Sequence, residues 1–182
     1  MLNKHAFRKS VLLFTTLVLT GSVTMAVLSV NTSEANPIKK LYVGYITSIQ
    51  NNNQGKPEWA LSGEWMTNII NSTKDSFNET NPAKFGSAFY MTKLDGSAVH
   101  KHAITNFSLT DINNQGNTTS YKGTVTITLK EGPVKEVPIE IKVINKYVIA
   151  LSLDPTKTNN HFGDTPIYGV IWPKGDMLII GT

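Results

Sequence analysis

Tyr121-Lys-Gly-Thr-Val-Thr-Ile-Thr-Leu-Lys130 alternates between apolar and polar side chains. Successive residues of an extended chain point to opposite faces. Tyr121, Val125, Ile127 and Leu129 therefore share one face, and Lys122, Thr124, Thr126, Thr128 and Lys130 share the other. That pattern predicts a strand with one buried face. After the turn Glu131-Gly132-Pro133, Val137, Ile139, Ile141 and Val143 repeat the alternation. After Asn145-Lys146, Tyr147, Ile149, Leu151 and Leu153 repeat it again. Strands joined by short turns predict an antiparallel meander.

Outward from this core, strands are expected at Leu41–Ile49, Ala60–Ile70, Phe85–Leu94, Ser97–Leu109, Ile167–Trp172 and Met177–Ile180. The total of about nine suits an all-β domain, a β-barrel or a β-sandwich. Trp59–Ile70 would also tolerate a short helix. Polar stretches at Gln50–Glu58, Asn71–Lys84, Asp111–Ser120 and Asp154–Pro166 read as loops. There is no internal repeat and no linker, so one domain is expected.

The chain begins differently. Met1–Ser10 carries Lys4, Arg8 and Lys9 and no acid, Val11–Val30 has no charge, and Ser33-Glu34-Ala35 offers small residues for a signal peptidase. These are the three parts of a secretory signal. The apolar run is also long enough to span a bilayer if left uncut. Residues 1–35 are thus expected to form a signal peptide or an N-terminal membrane anchor helix, with cleavage near Ala35 favoured. Residues 36–182 are expected to form an extracytoplasmic domain, secreted or held at the cell surface. Residues 11–30 are the only membrane contact foreseen.

Past residue 35 the chain keeps 14 lysines, 12 acids and no arginine. It lacks a dense basic patch with interleaved aromatics, which argues against nucleic acid as a partner. The absence of arginine argues against bidentate phosphate recognition. With no cysteine, disulfides, thiol nucleophiles, blue-copper thiolates and cysteine-held iron–sulfur clusters are excluded. Glycosylation sequons stand at Asn31, Asn71, Asn78, Asn106 and Asn117.

Beyond the leader only His100, His102 and His161 remain of the four histidines. His100-Lys101-His102 lies within an expected strand, where residues two apart share a face and their imidazoles can meet on one ion. His161 lies in Asn160-His161-Phe162-Gly163-Asp164, a loop able to bring a third imidazole onto that pair. Asp95, in the turn before the histidine strand, and Asp164 are candidate supporting ligands or acceptors. All-nitrogen ligation suits copper or zinc. Adding Met91 or Asp95 fits copper. The blander reading places His100 and His102 on a solvated face. The apolar residues leave both faces open, with Ile104 beside the histidines and Val99, Ala103 and Phe107 opposite.

Trp59-Ala-Leu-Ser-Gly-Glu-Trp65, Met91-Thr-Lys-Leu-Asp-Gly-Ser-Ala-Val-His-Lys-His102, Gly132-Pro-Val-Lys-Glu-Val-Pro-Ile139 and His161-Phe-Gly-Asp-Thr-Pro-Ile-Tyr-Gly169 resemble segments of uncharacterised secreted proteins of ammonia-oxidising archaea. The resemblance implies a cell-surface setting in copper-dependent organisms and supplies no catalytic residue.

The leading expectation is a secreted or cell-surface β-domain that binds or delivers a copper or zinc ion. A zinc-dependent hydrolase or lyase using the same histidines is the enzymatic alternative. A metal-free alternative is a lipocalin-like small-ligand binder or an envelope module, with Trp59, Trp65, Phe89 and Trp172 as core or pocket aromatics. The Gly63-Glu64-Trp65 tripeptide is similar to the start of such ligand-binding barrels.

Overall fold

The computed structural model of the chain describes residues 40–52 and 54–172. Eight strands run up and down: β1 (Tyr42–Asn51), β2 (Pro57–Thr67), β3 (Phe85–Lys93), β4 (His100–Gln115), β5 (Thr118–Leu129), β6 (Gly132–Ile144), β7 (Val148–Leu153) and β8 (Ile167–Ile171). Each pairs antiparallel with the next, and β8 pairs back onto β1 at Gly44–Ile171, Tyr45–Val170 and Ile46–Gly169. The all-β domain is thus a closed barrel and not a sandwich. Closure joins the first strand to the last, so neither stands at the edge of an open sheet. The expected leader and the expected strand Met177–Ile180 lie outside the described residues.

The alternation that predicted the meander sets the inside of the barrel. Tyr121, Val125 and Ile127 of β5, Val137, Ile139, Ile141 and Val143 of β6, and Ile149 and Leu151 of β7 are all buried. Each such side chain stabilises the fold by about 1.5–3 kcal/mol relative to exposure. Tyr147 departs from the expected face and is 67% exposed. It belongs to the turn, where Asn145 and Lys146 take positive φ and the Tyr147 N–H donates to the Ile144 carbonyl. Residues 111–120, expected as a loop, instead extend β4 and β5 into a long hairpin turning at Gly116 and Asn117.

Trp59–Thr67 is a strand, and Trp65 points inward. Its indole lies against Gly44 and Gly169. A Cβ on Gly44 would come within 2.4 Å of the ring, so only glycine admits it there. In β4 the register slips around Asn106, whose φ is +54°. This bulge switches the inward face, so Phe107 packs on the core although Ile104 also does.

Antiparallel order places the β1–β2, β3–β4, β5–β6 and β7–β8 connections at one end of the barrel and the rest at the other. The histidines sit at the first end.

Candidate metal centre

β4 begins at His100, and the inward residues of its first turns of pleat are His100, His102 and Ile104. The register fixes their neighbours: His100 stands opposite Met91, His102 opposite Phe89, and Ile104 opposite Ser87. The face left open by the sequence is therefore the inner one. His102 is 2% exposed, and His100 is half-buried at the rim.

His161 arrives from the β7–β8 connection, residues 154–166. That segment is folded by its own turns. The Asp154 carboxylate accepts from the Thr156 N–H and hydroxyl, and the Thr158 N–H donates to the Asp154 carbonyl. Asn159 and Asn160 take positive φ, and the His161 N–H donates to the Thr158 carbonyl. Phe162, 4% exposed, drives into the barrel mouth against the rings of Phe89 and His102 at 6.0 and 5.0 Å. Gln50, 1% exposed at the end of β1, fastens the far side: its amide donates to the Pro166 carbonyl at 3.2 Å, and its oxygen accepts from the Thr165 hydroxyl.

The result is a convergence of Nε2 atoms. His161 Nε2 lies 3.0 Å from His102 Nε2 and 3.2 Å from His100 Nε2. The ligating nitrogens of all three fall within 4.8 Å of one another. Two nitrogens bound tetrahedrally to one zinc stand about 3.3 Å apart for bonds near 2 Å, so both short edges are within a few tenths of an ångström of a coordination sphere.

The outer nitrogens determine the tautomers. His100 Nδ1 lies 2.7 Å from the Ala98 carbonyl, and His102 Nδ1 lies 2.6 Å from the Thr128 carbonyl. A carbonyl can only accept, so in the neutral rings each Nδ1 carries the proton and each Nε2 presents a lone pair inward. His161 Nε2 then faces two lone pairs and holds at most one proton. One of the two contacts lacks a full donor, and a cation at the centre would satisfy all three nitrogens together. Backbone carbonyls that orient ring nitrogens in this way are what metal-binding histidines ordinarily have behind them.

Electrostatics favour the neutral form of His102 and His161. Burial, followed by the neighbouring rings of His102 and His100, pushes His161 down to about 4. Burial also lowers His102, with the Thr128 carbonyl opposing and His100 adding to the fall. Neutral imidazole is the form that ligates a metal.

The remaining expected residues stay outside the convergent group, which consists of the three histidines alone among the described residues. The Asp95 carboxylate is exposed and holds the β3–β4 turn by accepting from the Ser97 N–H and hydroxyl. Asp164 is exposed on the loop that carries His161. Met91, 1% exposed, is beside His100 on the inner wall. Sequence reasoning did not find Gln50, Phe162 or the Thr128 carbonyl, because their roles depend on contacts between distant strands. No protein-family model, curated protein or solved structure matches the chain.

Proposed function

We propose that this protein is an extracytoplasmic β-barrel, released or tethered at the cell surface, that binds a transition metal ion through His100, His102 and His161 for storage or delivery. One observation carries the reading: three Nε2 atoms meet in the barrel mouth, and two of their rings are fixed by backbone carbonyls with lone pairs inward. All-nitrogen ligation favours copper or zinc. Copper has the added support of Met91, whose thioether lies on the same inner wall one strand away from His100. A thioether is a soft ligand of the kind copper(I) takes.

Calorimetric titration of the purified protein with Zn(II) and Cu(II), and a Cu(I) competition assay, tests the reading. One ion per chain is expected. The His100→Ala/His102→Ala variant should lose at least about a hundredfold in affinity, more than the 10- to 100-fold typical of losing an outer partner. Unchanged affinity in that variant ends the proposal.

A further inference from the structure

We propose that the metal centre is open to exogenous ligands and that its free coordination position faces a chamber suited to a small carboxylate anion; this rests on the metal reading above. Aromatic rings pack around the centre. His102 meets Phe162 and Phe89, with ring centroids at 5.0 and 5.6 Å. His100 meets the edge of Trp59 at 5.4 Å, and its outer nitrogen is taken by Ala98. His161, alone of the three, also lines a cavity of about 270 Å³, which it shares with Trp59, Met91 and Phe162. An ion on the three nitrogens would therefore be approached from that cavity.

The chamber's chemistry narrows the ligand. Asn51, Asn52, Gln54 and Asn160 supply carboxamides to its wall, and Glu58 supplies a carboxylate. The Asn52 side-chain oxygen is committed to the turn, accepting from the Gln54 and Lys56 N–H groups at 3.0 Å each, which leaves its NH2 as a donor. Among the described residues Glu58 is the only charged side chain of the lining, and it is paired with Lys93 Nζ at 3.2 Å. Three neutral imidazoles do not reduce the charge of a divalent ion, and a bound cation dominates the local field. The loaded chamber thus carries surplus positive charge beside amide donors. An anion with two oxygens answers both, one on the ion and one on an amide N–H. A phosphate ester would call for lysine or arginine in the wall, and among the described residues the lining has neither. The space admits a ligand of several heavy atoms.

The test uses the protein loaded with Co(II), whose visible absorption reports coordination number and ligand exchange, with acetate as the probe and glucose as the neutral control. At constant ionic strength, acetate should change the spectrum saturably with one-to-one stoichiometry and half-saturation on the order of 1–10 mM. Glucose should leave it unchanged. The Gln54→Glu/Asn160→Asp variant adds two negative charges at exposed positions. It should weaken acetate about tenfold or more, roughly 1.4 kcal/mol, while Co(II) binds as tightly as before or tighter. Cobalt that loads without an acetate response up to about 100 mM, two orders of magnitude above a millimolar Kd, overturns the proposal. So does a glucose response of equal strength, or an acetate affinity that ignores the added charges. Failure of Co(II) to load at all is a separate readout. It would overturn the metal reading and this inference with it.

Discussion

The two ends of the barrel are closed by opposite chemistry. Between β2 and β3, residues 68–84 fold under the barrel and seal it with Ile69, Ile70 and Ala83 above Phe85. The polar groups of that plug are paired locally. The Asn68 amide donates to the Pro82 carbonyl, its oxygen accepts from the Lys84 N–H, and the Thr67 hydroxyl donates to the Lys84 carbonyl. At the other end Phe162 is buried too, but three imidazoles stand beside it with their inward nitrogens facing one another. A barrel can plainly be closed with isoleucine and paired amides, because this one does so at its base. The histidine end therefore gives up apolar burial that the fold could have had, a local departure of the kind found at functional sites, and this makes it the candidate end.

The contrast can be broken in several ways. Ile69→Ala at the sealed end should cost about 2–5 kcal/mol of stability, the usual penalty for a large-to-small core change. Urea unfolding measures it, and the metal affinity of the folded protein should not move. Gln50→Leu should do the reverse. It releases the connection bearing His161, so metal affinity falls about 10- to 100-fold, as for loss of a residue that positions a ligand. A calorimetric titration matching wild type would remove Gln50 from the site.

Acidification separates the ends in the metal-free protein. The His161 pKa lies at about 4 and that of His102 is lowered as well, whereas free imidazole titrates near 6.5. Between those values the unfolded chain binds more protons than the folded one, so stability rises with pH across that window. It is fully present above about 6.5 and is lost progressively as pH falls towards 4. The urea midpoint should therefore drop from neutral pH to about pH 4.5, and His161→Phe should flatten that drop. The smallest effect is reserved for Asp95→Asn and Asp164→Asn. Both side chains are exposed and outside the histidine cluster, so stability should stay within about 0.5 kcal/mol and metal titrations should overlay the wild type.

Much of the architecture was readable in advance. Tyr121–Leu129, Val137–Val143 and Ile149–Leu151 are strands with their apolar residues inward, because a period of two admits one burial only. Asp111–Ser120 was misread because Asn and Gly signal turns, whereas here they ride on a two-stranded extension whose ladder supplies the order that composition lacks. Asp95 looked like a ligand by proximity in sequence. In three dimensions its carboxylate is consumed by Ser97, the local use an aspartate in a tight turn commonly finds.

By itself, then, the sequence determined that the chain forms antiparallel strands and that His100 and His102 share a face, since both follow from residue periodicity along one strand. Tertiary structure alone decided that this face is the inner one. The His102 ring is buried because β3 and β5 flank it with Phe89 and the Thr128 carbonyl and Phe162 packs over it. Tertiary structure also decided that His161 joins the pair across 59 and 61 residues of chain. The cause is long-range packing: Phe162 inserts beside Phe89, and Gln50 holds Thr165 and Pro166 from more than a hundred residues away. No local pattern encodes such contacts, because they exist only once the barrel has closed.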